Sequence, residues 1–370
     1  MRIRKESNMH NAAQQTLTMA AELSGEIDEM RNSLTTDHMD MSFGELTGMY
    51  ERGELVIDPS FQRLYRWTPE QKTRFVESII LGIPIPPIFV AEDKNGAWEL
   101  VDGLQRISTI LSFFGLLRNA KTRGVNDWCF VEAPLLPSLE GFSAKTLPSR
   151  YVLNLKRAVC RVEVIKWNSK WDMRYELFNR LNTGGSILNE QEIRNCIFRG
   201  GLKKFYAFID EAKNNETFKK VTALSSKQKQ RLVDEDLIVR YVALVDNWKN
   251  VDAAISVYVT SYMKHMLDRG EDISERVIDK FYRCMNLLSN IGSSVFRVGS
   301  TFSPSLFDSV MVAASTYIAF FETHINEFNS AVRALKGSVE FKALRGGAGS
   351  KNRTRMKLGL AIDIFRRYVK

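Results

Sequence analysis

Apolar positions in the N-terminal half of the chain switch repeatedly between helical and strand-like spacing. Ser42 with Glu45 forms a capping box that opens a short helix, and Gly53 closes it. Asp58 and Pro59 then break the chain. Thr68, Pro69 and Gln71 give a second box. Phe75, Val76, Ile79 and Ile80 follow as a buried helical stripe, which Gly82 terminates. "PPIFVAE" and "AWELVD" read as strands, and the Asp93-Lys94-Asn95-Gly96 turn between them predicts a hairpin. At "WELVDGLQRISTILSFFG" the rhythm changes at once. Trp98 to Val101 alternate, Asp102 and Gly103 form a turn, and Leu104, Ile107, Leu111 and Phe114 begin a helix expected to reach about Leu117.

Residues 118–150 hold Pro134, Pro137 and Pro148 and show no period. "AVCRVEVIKW" returns to a strand pattern, and "SKWDMRYELFNRLN" is an amphipathic helix. "NTGGSIL" is a turn, and Asn189 with Glu192 caps "EQEIRNCIF". From about residue 203 every pattern is helical, as in "RLVDEDLIVRYVALV", and Gly and Pro thin out. The expected class is α+β: a small mixed sheet with helices, followed by an all-α region. The expected segments are a polar arm over 1–41, a mixed domain over 42–200, and a helical domain over 201–370 with a basic tail.

Composition narrows the class without changing it. Hydrophobic content is 44% and charged content 26%, as in ordinary globular proteins. The formal net charge of +9 permits a polyanionic partner, and equally a merely basic surface. Cys129, Cys160, Cys196 and Cys284 are scattered, which fits a reducing compartment and excludes a disulfide scaffold. His10, His38, His265 and His324 share no ligand spacing, so no zinc site is expected, nor is haem or flavin indicated. Nor does a Gly-x-x-x-x-Gly-Lys-Ser/Thr loop occur. No apolar signal core follows the basic start. "SIILGIPIPPIFV" is broken by three prolines, and "VMVAASTYIAFF" falls short of the ~20 residues of a membrane span. A cytoplasmic protein without membrane contact is the expectation.

Four polar clusters could carry chemistry. At the strand-to-helix junction, a helix N-terminus can receive phosphate, and Gly103 permits close approach. Asp102 offers a Mg²⁺ ligand, while Gln105 and Arg106 sit in the first helical turn. The plainer alternative, equally weighted, is a simple strand–turn–helix with Asp102 as N-cap and Arg106 in solvent. In "FQRLYRWTPEQ", Gln62, Arg63 and Arg66 beside Tyr65 and Trp67 suit a phosphate-plus-base ligand, although packing alone explains Trp67 better. Asn182 lies at a Gly184-Gly185 turn that reads first as an ordinary connection. Arg353, Arg355, Lys357, Arg366 and Arg367 in the basic tail suit a DNA backbone, or simply a solvated helix face.

"FQRLYRW", "SIILGIPIPPIFV", "VDGLQRISTI" and "FNRLNTGGSILNEQEIRN" occur in that order and resemble the GmrSD-type restriction endonuclease N-terminal domain family over roughly residues 42–200. The resemblance implies a ParB-like, sulfiredoxin-like core whose Asp-Gly-Gln-Gln-Arg motif is associated with nucleotide binding and hydrolysis, in bacterial defence against phage and modified DNA. Carried over, it makes Asp102, Gln105 and Arg106 catalytic, with Asp102 holding Mg²⁺ or the attacking water. Gln62, Arg63, Arg66, Gly103 and Asn182 would bind nucleotide. The implied partners are a nucleoside triphosphate, DNA and a separate nuclease or other defence subunit. Leu104 stands where the motif has glutamine and offers no hydrogen bond. Large family members continue into an HNH-type nuclease with a His-rich metal site, whereas the C-terminal half here holds only His265 and His324. Three functions are compatible with this: a nucleoside triphosphatase acting with DNA, a nucleotide-gated DNA- or protein-binding adaptor without turnover, and a Mg²⁺-dependent nickase, which the shortage of histidine disfavours.

Overall fold

The structure, a computed structural model, describes residues 2–57, 65, 67–118, 125–167, 169, 173, 176, 177, 180, 189–344 and 351–369, with side chains from Thr18 onward. It is α+β, with a five-stranded mixed sheet in the N-terminal region and a largely helical remainder. The chain divides into two compact units, Met1–Ile187 and Leu188–Lys370.

The first unit runs α1 (Arg2–Ser33), β1 (Thr36–Ser42), α2 (Phe43–Arg52), β2 (Leu55–Val56), α3 (Pro69–Ile80), β3 (Ile88–Glu92), β4 (Trp98–Asp102), α4 (Leu104–Phe113), α5 (Ser149–Arg157) and β5 (Val159–Ile165). Strand order is β1-β5-β3-β4-β2. The expected hairpin forms: β3 and β4 are antiparallel, with Val90 opposite Leu100. β3 lies parallel to β5, which places Ile88 opposite Val162. Inward alternation on β5 buries Cys160, Val162 and Val164, which join Ile88, Val90, Leu100, Ile107, Ile110 and Phe113 in one core.

The helix signals act as the physics of caps requires. Ser42 Oγ accepts from the Glu45 N–H at 3.1 Å, and Gly53 closes α2 at φ +80°. Thr68 and Gln71 form a reciprocal box with Pro69 in the first turn of α3. α4 stops at Phe113, earlier than expected. Gly115 takes φ +76° and the Leu116 N–H bonds back to the Leu111 carbonyl at 2.8 Å, so the last turn is closed before Leu117.

Two features depart from the sequence reading. The segment read as a polar arm, helical or partly disordered, is helical over 32 residues, but it also contains an unexpected strand, β1, paired with β5 in seven-residue register from Thr36↔Ile165 to Ser42↔Val159. β1 reads "TDHMDMS" and is mostly exposed at the sheet edge, so it lacks the apolar alternation that marks half-buried strands. The region expected to be wholly helical also holds a small ladder, β6 (Arg297–Val298) with β7 (Thr301–Phe302). Two residues per strand are too few to show a period.

In the second unit, helices including α6 (Glu190–Phe198), α7 (Lys203–Ala212), α8 (Val233–Val245), α9 (Pro304–Thr316) and α10 (Lys351–Arg366) pack around α8 and α9. Both central helices are buried along most of their length. Asn189 Oδ1 accepts from the Gln191 and Glu192 N–H groups at 2.9 and 3.0 Å, forming the expected cap of α6. That helix inserts charge into the core. Arg194 is fully buried, bonds Gln191 Oε1 at 2.9 Å and pairs with Asp236. Asn195 donates to Glu235 at 2.7 Å, and Glu235 accepts Lys213 at 2.8 Å. Arg240 pairs with the buried Asp308. Arg194 and Asp308 lie at the charge-in-core extreme that requires such partners.

Candidate functional site

The junction is built by an abrupt change of backbone. Asp102 ends β4, opposite Phe89 across a register shift, and Gly103 takes φ +99° and ψ 13° before α4 begins. Only glycine fits there. A Cβ would lie 2.5 Å from Ile88 Cγ2, and the backbone is in the left-handed region besides. The free side of Gly103 is thus filled by Ile88, and its role is to let the strand turn into the helix. Leu104 points into the core at 9% exposure.

Asp102 does not cap the helix. Gly103 is the N-cap residue, and no side chain among the described residues caps α4. Instead Asp102 Oδ2 accepts from the Arg106 guanidinium at 2.6 Å, four residues on. The arginine side chain is only 13% exposed and the aspartate 47%, so the pair is anchored inside with its carboxylate turned toward solvent. The unsatisfied N–H groups and positive dipole end of α4 lie at the same place. Arg106 therefore does not stand free in solvent, contrary to the plainer alternative. Its charge is also felt by Cys160: burial pushes that thiol up to about 11, and the guanidinium opposes the shift.

Gln105 works as a strap anchor. Its Oε1 accepts the Trp67 N–H at 3.1 Å, while Trp67 packs edge-on against Phe75 at 5.3 Å. Tyr65 completes the strap. Its hydroxyl lies 3.2 Å from Thr109 Oγ1 and 3.0 Å from Ser112 Oγ on α4, and burial raises its pKa against those two hydrogen bonds. Ser112 Oγ also accepts Trp128 Nε1–H at 3.1 Å. Lys72 Nζ sits 4.6 Å from the Tyr65 ring centre and 5.9 Å from that of Trp128, and burial lowers its pKa. Tyr65 and Trp67 are therefore both tied to α4.

Thr109, Ser112, Trp128 and Lys72 were absent from the sequence reading. Thr109 and Ser112 gave a signal, since with Gln105 and Ser108 they form a polar side on a helix that is largely apolar elsewhere. Gln62, Arg63, Arg66, Asn182, Gly184 and Gly185 lie outside the described residues, as does most of the predicted helix over 170–182. The basic tail is partly spent on packing. Lys357 donates to Ser305 Oγ at 3.1 Å and lies 5.1 Å from the Phe341 ring centre, and burial with the Arg353 charge lowers its pKa. Arg366 donates to Tyr317 Oη at 3.1 Å, while Arg355 and Arg367 are exposed.

The first unit thus carries a polar strand-to-helix junction at the end of a sheet strand, strapped by Tyr65 and Trp67. Residues 43–199 match the family model described as GmrSD restriction endonuclease, N-terminal domain, and form a domain of that type. The match associates this part of the chain with restriction- or defence-related, nuclease-associated proteins. No curated protein and no solved structure matches it. Among the described residues, no helix is long and apolar enough to cross a membrane.

Proposed function

We propose that the GmrSD-type domain binds a nucleoside triphosphate at the β4–α4 junction and hydrolyses it, acting with DNA in restriction of phage or modified DNA. The observation that supports this most is the junction itself: an inward-anchored arginine and a solvent-facing aspartate, paired at a helix N-terminus with no side-chain cap among the described residues. A helix N-terminus offers its backbone N–H groups and positive dipole end to a phosphate. Arg106 and the first-turn N–H groups hold the phosphate and stabilise charge that builds on it. Asp102 orients the water. Gln105 acts through Trp67, positioning the loop that carries Gln62, Arg63 and Arg66, and Asn182 closes the site.

Mg²⁺ fits this arrangement as an ion borne by the triphosphate. Asp102 offers one half-exposed carboxylate, and no group of three or more His, Cys, Asp or Glu among the described residues could hold a resident metal. When bound there, it would neutralise phosphate charge. The exposed Arg355 and Arg367, with the net charge of +9, favour a DNA backbone as the second partner, and a separate subunit would do the cutting.

One observation favours an adaptor that binds nucleotide without turnover: Leu104 is buried and adds no polar group to the first turn. The two readings separate in a phosphate-release assay with each common NTP and Mg²⁺, with and without DNA. The triphosphatase reading expects release in the wild type, lowered by about 10²–10³-fold on removing either Asp102 or Arg106 as alanine variants. Nucleotide binding by calorimetry without release leaves the adaptor. Absence of both release and binding refutes the site.

A further inference from the structure

α1 spans 32 residues, about 48 Å at roughly 1.5 Å per residue. From Thr18 to Asn32 every residue along it is exposed. Four of these are large and apolar: Met19 at 69%, Leu23 at 56%, Ile27 at 40% and Met30 at 54%. Steps of four, four and three residues place them on one side of the helix. Ala20, Leu23, Ile27 and Met30 fall in steps of three, four and three with Met19 beside them, and the sequence carries the same spacing back through Thr16, Ala13 and Met9. Alternating steps of four and three are the seam of a two-stranded coil, narrower than the stripe by which a helix faces a globular core. Single exposed apolar residues need no explanation, but an ordered seam on an otherwise polar helix does.

Charge selects the partner. Arg2, Arg4 and Lys5 against Glu6 make the first turns basic, while Glu22, Glu26, Asp28 and Glu29 against Arg31 make the last turns acidic. A second copy laid antiparallel sets each basic end toward the other's acidic end and opposes the two helix dipoles. A parallel pair sets like charge on like. We propose that α1 is a dimerisation arm that pairs with α1 of a second copy as an antiparallel two-stranded coil.

Sedimentation velocity of the full chain across a wide concentration range tests this. The wild type should pass from monomer to dimer, at lower concentration in low salt than in high salt. The double variant Leu23→Glu, Ile27→Glu should stay monomeric, with the urea midpoint that the wild type shows at concentrations where it is monomeric. Ala21→Glu, on the opposite face, should dimerise like the wild type. A pyrene at each N-terminus should give no excimer emission in the dimer, because the two ends lie a helix length apart. A wild type that stays monomeric throughout overturns the proposal, whether or not it binds vesicles of anionic lipid. A double variant as dimeric as the wild type does so too, and excimer emission overturns the antiparallel arrangement.

Discussion

Replacing Gly103 by alanine probes how tightly the strand-to-helix turn is specified. Two independent costs add at this position. The backbone sits at φ +99°, where an L side chain costs about 1–2 kcal/mol. The new Cβ would lie 2.5 Å from Ile88 Cγ2 and 3.0 Å from Ile88 Cβ, inside a fully buried contact, and overpacking of that kind costs about 1–3 kcal/mol. The expected loss is about 2–5 kcal/mol, a large share of a typical stability of roughly 5–15 kcal/mol. Urea unfolding followed by tryptophan fluorescence measures it, because every tryptophan but Trp248 lies in the first unit. Ile88→Ala separates the two costs. It removes Cγ2, so it relieves the overlap and not the dihedral, at its own cost of about 2–5 kcal/mol. The double variant should then be less destabilised than the sum by about 1–3 kcal/mol. A Gly103→Ala protein within about 0.5 kcal/mol of the wild type, or strictly additive costs, would refute the reasoning.

Tyr65→Phe should destabilise the first unit by about 1 kcal/mol near pH 8, through loss of the hydroxyl's bonds to Thr109 and Ser112. Because burial raises the folded pKa of Tyr65, its stabilisation is present below the ordinary tyrosine value of about 10 and is lost as pH rises through the folded pKa. Urea midpoints of the two proteins should therefore converge at high pH, and a constant gap would contradict the sign. Asp236→Ala leaves Arg194 charged at 0% side-chain exposure and should cost about 3–5 kcal/mol in the second unit, measured by circular dichroism during urea unfolding. A cost below about 1 kcal/mol would mean that Arg194 finds another partner.

Much of the fold was legible because local chemistry dictated it. The Thr68–Gln71 and Asn189–Glu192 boxes, the Asn95-Gly96 hairpin and the period change at Asp102-Gly103 each announce an element within a few residues. β1 was hidden because an exposed edge strand needs no apolar face, and its partner β5 lies more than a hundred residues away. At the site, the sequence marked Asp102 and Arg106 as polar groups at a turn but left open whether they engage one another. Their ion pair depends on helical i, i+4 spacing across a turn whose exact residues only the fold fixes. The role of Gly103 was read as room for a ligand. The side chain that fills this room, Ile88, comes from a neighbouring strand and leaves no local trace. The Gln105–Trp67 and Tyr65–Thr109 bonds are likewise long-range, so the strap was visible only as a run of aromatic and basic residues.

The placement of α6 bears on how the protein can be divided experimentally. The family match ends at residue 199, yet the compact units part between Ile187 and Leu188, so α6 belongs to the match and folds with the second unit. A fragment cut at residue 199 would carry Arg194 and Asn195 away from Asp236 and Glu235, presenting to water a helix face shaped to bury an arginine. Its poor solubility would say nothing of the domain upstream. The stretch that matches the family and the compact unit that holds most of it have different ends here, and fragments meant to report on the first unit should end before Leu188.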